Sequence, residues 1–527
     1  MKSDEIKFRV DRRRFLGRSG IASLGSMSLI NVISQLRLMQ AATANNTAIG
    51  DDYKALVCIF LRGGCDTNNV VVPIGTNPQA TYYANTRNQV GISEADIVNA
   101  GTTITPSNIA ASEQYGLHPS CLNMTNMFQS GELAFMCNVG TLAEPTTKAT
   151  YNTVTRPTQL FSHSNQVQEW MSSVADGPFL SGWGGRVADL LNSASNPASK
   201  VSMLVTAAGT NDFMVAPGGA VPQYNVTSTG AVSLAGFGTN YDGAMNPDGT
   251  YKNTTSGKRL KAFERIMNFS NAHILEEGYN TVVRRARLNE GLVGDAVGVA
   301  DTLQQDGSVN FDGNFAGANT NLGNELKMIA QLIAGRRCLG NTRQIFFCDL
   351  GGWDMHQNIN ANLPNNLSQL DNAVGAFNQT MKDLAAADAD FAYSDVMGFQ
   401  ASDFNRTFTP NGAPGDEGAG TDHAWGTNCF FFGGAVDGGK FYGMDGSTAG
   451  SPYPDLTVGN SGTQDTPNNN RGRWIPTTSV DQYCAILSAF LGVSTSNGDM
   501  DLILPNLERF PDPFDPVNNI NFFDPLA

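Results

Sequence analysis

The stretch Lys54–Leu61, KALVCIFL, is an almost unbroken apolar run that stops abruptly at RGGCD. An apolar run without polar alternation is typical of a strand that is covered on both faces, as in a parallel sheet. Similar short runs recur at Leu133–Val139, Val201–Thr206, Gln344–Leu350, Val396–Gln400 and Cys429–Phe432. The sequence therefore predicts several buried strands of one sheet.

Segments with helical periodicity lie between these runs. They are Lys258–Val297, Glu325–Leu339, Leu367–Ala386 and Val480–Leu491. Strands that alternate with helices predict an α/β fold, a doubly wound and mostly parallel sheet with helices on both faces. Residues 207–256 and 306–321 are rich in Gly, Asn, Thr and Ser and are predicted to be insertions in a single domain that spans 45–527.

Composition limits the classes of partner. The chain has 527 residues, 41% of them hydrophobic, which is enough for a large core. Its net charge of −15 and a pI near 4.7 argue against nucleic acid, whose phosphates need a basic surface. Eight cysteines form no CxxC pair, so a zinc ribbon is not expected, and disulfide pairing stays open.

The N-terminus has the three parts of an export signal. Asp11–Gly17 carries a twin arginine, Ser19–Leu36 is uncharged, and Ala42–Ala44 has the small residues that suit cleavage. The paired arginines predict a twin-arginine (Tat) signal peptide over residues 1–44. We therefore expect a periplasmic or secreted protein that meets the Tat translocase during export. The many serines of the uncharged stretch argue against a stable membrane span.

Chemically active residues follow the predicted strands at the points where they end. These residues are Asp66, Asp354, His356, Asp403, Asp422 and His423. Because ligands of parallel sheets bind beyond the carboxyl ends of the strands, we expect these side chains to converge. Carboxylate and imidazole groups in Gly-flanked loops suit a divalent metal, although a turn Asp, a surface His or a salt bridge would give the same pattern.

Ser162 precedes a segment that has a helical pattern, and it is followed directly by His163. A serine at a helix start is usually an N-cap. The alternative is a nucleophile whose reaction is assisted by the helix dipole. There is no GxSxG motif, so an α/β-hydrolase nucleophile elbow is not supported.

Several blocks occur in a fixed order along the chain after the export signal. They are RGGCDTNNVVVP, SHSNQVQEW, DLGGWDMHQN, SDFNRT and GTDHAWGTNCFFFGGAVDGGKFYG. In this order the blocks resemble a bacterial family of Tat-exported proteins of unknown function in the alkaline-phosphatase-like superfamily. The resemblance extends from about Lys54 to Leu504.

The resemblance implies a metal-dependent hydrolase core. Asp66 would match the first metal ligand, Asp354 and His356 the second set, and Asp422 and His423 the third. Ser162 would match the nucleophile, and Arg62 or Arg406 would hold an oxyanion because the guanidinium fork fits phosphate and sulfate. No histidine follows His423, where two-zinc phosphatases usually have one, so Asp403 is a candidate substitute ligand.

The sequence therefore leaves two alternative functions open. The first is an exported hydrolase of phosphate or sulfate esters, with small molecules or glycans as substrates and Zn, Ca or Mg as the metal. The second is a non-catalytic exported binding or assembly protein that keeps the alkaline-phosphatase-like fold. Fold resemblance alone does not decide between them.

Overall fold

The computed structural model describes residues 53–219, 221–231, 236–237, 241–246, 249–267, 274–412, 416, 418–445 and 451–523. For 267 and 274–288 it describes only the helical backbone. The predicted signal peptide (1–44) and His273 lie outside the described residues.

A large sheet forms the centre of the molecule. The strands are β1 (Lys54–Leu61), β2 (Val71–Ile74), β3 (Thr103–Ile104), β4 (Gln114–Leu117), β5 (Leu133–Gly140), β6 (Leu204–Thr206), β7 (Tyr224–Thr227), β8 (Gly230–Ala231), β9 (Arg343–Leu350), β10 (Val396–Ser402), β11 (Thr427–Gly433), β12 (Phe441–Tyr442) and β13 (Thr478–Ser479). The central sheet has 10 strands in the order β12-β5-β11-β10-β1-β9-β6-β7-β8, with β13 beside β5. A small second sheet has the order β2-β4-β3.

Most neighbours in the central sheet are parallel. β1 pairs in parallel with both β9 and β10, and β6 pairs in parallel with β9 and β7. β11 runs antiparallel to β10 and β5, and β8 runs antiparallel to β7. The prediction of a mixed α/β fold with a large, mostly parallel sheet is therefore confirmed. β7 lies inside the predicted insertion 207–256, so that insertion extends the sheet as well as forming loops.

Helices surround this sheet. They are α1 (Ala80–Thr86), α2 (Glu94–Ala100), α3 (Leu122–Gln129), α4 (His163–Ser172), α5 (Trp183–Ser195), α6 (Thr255–Met267), α7 (Ile274–Gln305), α8 (Phe311–Asn314), α9 (Asn321–Ala334), α10 (Arg336–Leu339), α11 (Ile359–Ala387), α12 (Val480–Phe490) and α13 (Asp499–Ile503). The helical pattern predicted over Lys258–Val297 corresponds to two helices, α6 and α7. None of the helices in the described part of the chain is long and apolar enough to cross a membrane.

The burial of strand β1 on both faces explains why its sequence is apolar without polar alternation. Val57 and Ile59 belong to one hydrophobic core, with Leu326 and Ile329 of α9. Because successive side chains of a strand point to opposite faces, the alternate residues Leu56, Cys58 and Phe60 belong to a second core with residues of α5 and α12. Both faces of the strand are thus covered. The eight cysteines are free thiols, and all but Cys338 are buried.

Candidate metal centre

The sheet brings several loops together at one edge. β1, β9 and β10 are parallel, so the segments that follow Leu61, Leu350 and Ser402 leave the sheet on the same side. β11 runs the other way, so the residues that precede Thr427 reach the same edge. β5 is antiparallel to β11 and therefore also ends at this edge, some way before α4 begins at His163.

Three imidazoles and one carboxylate converge at this edge. Asp354 Oδ1 lies 3.0 Å from His356 Nε2 and 3.4 Å from His423 Nε2. Asp354 Oδ2 lies 3.5 Å from His163 Nε2. The two Nε2 atoms of His356 and His423 are 3.0 Å apart. We call these four residues the His/Asp cluster. Ligand atoms of three of them, His163, Asp354 and His423, all lie within 4.8 Å of one another.

The other ring nitrogen of each histidine is held by an oxygen. His163 Nδ1 is 2.7 Å from Asp403 Oδ2, and His356 Nδ1 is 2.9 Å from Asp422 Oδ1. His423 Nδ1 is 2.9 Å from the backbone oxygen of Phe161. Because carboxylate and carbonyl oxygens accept hydrogen bonds, all three Nδ1 atoms donate. In the neutral rings this leaves the lone pair on Nε2, the atom that faces the cluster.

Arg406 holds the carboxylate of the cluster from the protein interior. Its Nη1 donates to Asp354 Oδ1 at 2.7 Å and to the backbone oxygen of Gly63 at 3.2 Å, and its Nη2 donates to the backbone oxygen of Thr421. The Arg406 side chain is 0% exposed, whereas the Asp354 side chain is 46% exposed. The guanidinium is therefore fully used inside the protein, and the carboxylate it holds faces solvent.

Asp422 is fixed from two further directions. Its Oδ1 accepts from Asn411 Nδ2 at 3.1 Å, and its Oδ2 accepts from Arg471 Nη1 at 2.5 Å. His356, which uses the same carboxylate through Nδ1, is thereby oriented by groups from distant parts of the chain. Outer partners of this type set the tautomer and orientation of metal-binding histidines.

Two close approaches of the backbone build the cluster. Gly63 has φ +116°, and a Cβ there would lie 2.6 Å from the backbone nitrogen of Asp354. Its own N–H donates to Asp403 Oδ1 at 3.1 Å. Phe161 has φ 76°, which is uncommon for a bulky residue, and its carbonyl is the group that holds His423. Backbone strain of this kind tends to occur at functional sites.

The charges of the cluster follow from its contacts. The hydrogen bond that His163 donates to the Asp403 carboxylate raises the pKa of His163 above its ordinary value. Burial lowers the pKa of His423, which favours the neutral ring. Partial burial opposes ionisation of Asp354, but the hydrogen bond and charge of Arg406 together with the neighbouring histidines outweigh it and lower the pKa of this carboxyl.

Two observations indicate that the cluster is suited to hold a metal ion. His163 Nε2 is buried and has no hydrogen-bond partner among the described residues, although it faces the Asp354 carboxylate. The Nε2 atoms of His356 and His423 face each other at 3.0 Å, so two neutral rings would need a proton or a cation between their lone pairs. Three imidazole nitrogens and a carboxylate are a common donor set for divalent transition metals.

The remaining predicted site residues have other surroundings. Asp66 is buried and forms an ion pair with the buried Arg87 instead of joining the cluster. Asp403 and Asp422 hold the Nδ1 atoms of cluster histidines. Arg62 pairs with Asp349, and its side chain is 40% exposed. The residue predicted as nucleophile, Ser162, is the N-cap residue of α4 and donates its hydroxyl hydrogen to Asn165 Oδ1 at 3.1 Å.

Sequence reasoning did not place three contributors in the site. His163 stood out only as the neighbour of Ser162, and it is a cluster member here. Arg471, in the polar segment NNNRGRW, and Phe161, which acts through its carbonyl, carry no motif that distinguishes them. The scarcity of histidine was the available signal for His163, because the chain has only 5.

The fold and the cluster together define an α/β protein with a candidate metal centre at the carboxyl edge of its sheet. Residues 299–455 match a family described as "Protein of unknown function (DUF1501)". This segment contains Asp354, His356 and His423 of the cluster, whereas His163 lies before it. No curated protein and no solved structure matches the chain.

Proposed function

We propose that the protein is a metal-dependent hydrolase of phosphate or sulfate esters. The observation that supports this most strongly is the convergence of three Nε2 atoms on the Asp354 carboxylate, with each Nδ1 held by an oxygen. The sequence blocks resemble Tat-exported, alkaline-phosphatase-like proteins. We therefore also propose that the protein is exported and belongs to that superfamily. The 46% exposure of the Asp354 side chain gives a substrate access to the cluster.

The donor set favours zinc or a similar transition ion. Zinc is bound by imidazole nitrogen and carboxylate oxygen, whereas calcium and magnesium prefer sets made of oxygen alone. His163, Asp354, His356 and His423 would hold the ion. When bound, such an ion polarises an ester oxygen and lowers the pKa of water.

The residues of the chain then have distinct tasks. Asp403, Asp422 and the carbonyl of Phe161 keep the Nε2 lone pairs of the histidines directed at the centre. Arg406 keeps Asp354 ionised and in place but is too buried to contact a substrate. Arg62, at the end of β1 and 40% exposed, is the better candidate for an ester oxyanion. The hydroxyl of Ser162 is engaged with Asn165, so we favour attack by water over attack by this serine.

Hydrolysis of p-nitrophenyl phosphate and p-nitrophenyl sulfate tests the proposal. The protein is stripped with a chelator, reloaded with zinc, manganese or calcium in turn, and assayed beside His423→Ala. We expect activity that depends on the metal and falls at least a hundredfold in the variant. His118→Gln is the matched control, because His118 lies outside the cluster and glutamine retains an acceptor for the N–H of Ser120. Activity that survives both chelation and His423→Ala would contradict the proposal.

A second candidate is an exported binding or assembly protein without catalysis. The specific observation that favours it is the engaged hydroxyl of Ser162, which leaves the cluster without a presented side-chain nucleophile. This candidate predicts that the protein binds a metal but hydrolyses neither ester. Metal binding without turnover of any phosphate or sulfate ester would therefore favour it over the hydrolase.

A further inference from the structure

A polar cleft opens at the same edge of the sheet as the His/Asp cluster. It has a volume of about 370 Å³ and lies where β6 and β7 end and α9 begins. Asn225, Thr227, Asn321, Asn324 and Glu325 are among its lining residues. We call it the β6–β7 cleft.

A buried amide of this cleft has an unused hydrogen-bonding group. Asn225 Oδ1 is buried and has no partner among the described residues. The exposed Asn321 and the half-buried Asn324 also line the cleft. Buried polar groups are nearly always paired in folded proteins, so an unpaired one that lines a cleft points to a ligand.

A second amide-lined cleft shows the contrast. It has a volume of about 550 Å³ and lies between α3 and α11. There Asn314 donates to Thr380 and Asp383, and Asn378 donates to Glu132. These asparagines stabilise the packing of helices, whereas those of the β6–β7 cleft are available to a ligand.

The position of the β6–β7 cleft relates it to the cluster. Gly63 and Arg406, which lie beneath the cluster, follow β1 and β10, and the sheet continues from β1 through β9 and β6 to β7. Three strand spacings of ~4.8 Å separate β1 from β7, so the ends of these two strands are about 14 Å apart. Arg62 and Asp349 lie at the strand ends between them. A ligand that reaches both sites must therefore be an extended one.

We propose that the β6–β7 cleft binds a neutral polyhydroxylated group, such as an oligosaccharide, of a substrate whose ester lies at the His/Asp cluster. This inference rests on the proposed function. A side-chain amide offers both donors and an acceptor, and a hydroxyl needs both. The lining contains no lysine or arginine that would select an anion. Burial raises the pKa of Glu325 to about 7, so this acid is partly protonated at neutral pH and can also donate to a hydroxyl.

Binding of neutral sugars to the chelator-treated protein tests the cleft without catalysis. Maltotetraose, cellotetraose and chitotetraose are titrated by calorimetry into the parent, Asn225→Ala and Asn324→Ala. We expect at least one sugar to bind and each variant to weaken its Kd roughly tenfold, because a paired polar group is lost. Asn126→Ala is the matched control, since Asn126 lines the other cleft, and its Kd should equal that of the parent.

Two outcomes would overturn the subsite: none of the three sugars binds, or binding is unchanged in both cleft variants. Asn225→Leu, which is similar in size and has neither a donor nor an acceptor, replaces the alanine variant if the latter does not fold. The same titration with Asp354→Asn separates this inference from the proposed function. Sugar binding that survives in Asp354→Asn would show that the cleft binds independently of the cluster, and sugar binding by a parent protein that has no metal-dependent esterase activity would leave the subsite standing and remove the hydrolase. If the protein hydrolyses a sulfated tetrasaccharide in a metal-dependent way and Asn225→Ala leaves the KM for it unchanged, the hydrolase stands and the subsite is overturned.

Discussion

Asparagine in place of Asp403 changes the support of His163 without changing the size of the side chain. In the parent, Oδ1 accepts from Gly63 N–H at 3.1 Å and Oδ2 accepts from His163 Nδ1 at 2.7 Å. Asparagine has one accepting oxygen, and the Gly63 N–H needs it. Its NH₂ group then faces His163 Nδ1, which must accept instead of donate. The proton of the ring moves to Nε2, which loses the lone pair that a metal requires.

The expected effect on metal affinity follows from the role of Asp403. Loss of an outer partner of a ligating histidine weakens metal binding by roughly 10–100-fold. This range corresponds to about 1.4–2.7 kcal/mol. The Gly63 N–H keeps its acceptor, so we expect the thermal stability of the metal-free variant to change little.

Asp66→Asn is the matched control, since Asp66 and Asp403 are both 2% exposed. Asp66 pairs with the buried Arg87 and has no contact with the cluster histidines. Removing its charge leaves a buried guanidinium without its anion, which destabilises proteins by roughly 3–5 kcal/mol. The two variants should therefore have opposite profiles, one with weakened metal binding and the other with lowered stability.

Zinc titration by calorimetry and thermal unfolding in chelator measure the two effects separately. We expect Asp403→Asn to lose affinity and keep its unfolding temperature, and Asp66→Asn to keep affinity and unfold earlier. An affinity of Asp403→Asn equal to that of the parent would refute the proposed tautomer control. Loss of metal binding in a folded Asp66→Asn would return Asp66 to the ligand set.

Three further predictions address the backbone, the pH dependence and the metal. Gly63→Ala should destabilise the protein more than Gly101→Ala in thermal unfolding, because both glycines have positive φ but only at Gly63 would a Cβ meet another backbone atom; equal losses would contradict the close approach. Burial raises the pKa of Glu169 from 4.5 to about 8, so the folded state holds a proton that the unfolded state has released, and stability should fall as pH rises through this window. The free energy of unfolding should fall by about 1.4 kcal/mol per pH unit because of this group, and this contribution should be absent from Glu169→Gln when both proteins are unfolded in urea over the pH range. The same pH dependence of stability in the parent and the variant would exclude a buried acid at this position. Zinc at a hundred times its Kd should stabilise the parent by about 2.7 kcal/mol, and a stabilisation of the same size in His423→Ala would place the metal elsewhere.

The strands of the fold were predictable because burial on both faces leaves a simple pattern. β1 is covered by two cores, and its sequence is apolar throughout. β6 is shorter than the apolar run Val201–Thr206 that predicted it, beginning only at Leu204. β7, YNVT, has too few apolar residues to stand out, and it forms because β6 offers it a parallel edge.

The site residues were predictable only where they directly follow or precede a strand of the central sheet. Asp354, His356 and His423 belong to short Gly-flanked loops, and the sequence pattern points to them. His163 begins a helix more than twenty residues after β5, and its partner Asp403 is 240 positions away. Asp66 has the same pattern as the other strand-end aspartates, but an arginine 21 positions later neutralises it. A sequence shows which groups are present at an edge and does not show which of them pair.

Anomalous diffraction from a zinc-soaked crystal of the protein tests the central claim most directly. The account predicts one strong peak roughly 2.0–2.2 Å from a carboxylate oxygen of Asp354 and from the Nε2 atoms of His163, His356 and His423, with Asp403 still bound to His163 Nδ1. A crystal without a peak at this position, or with zinc bound at Asp66 instead, would contradict it.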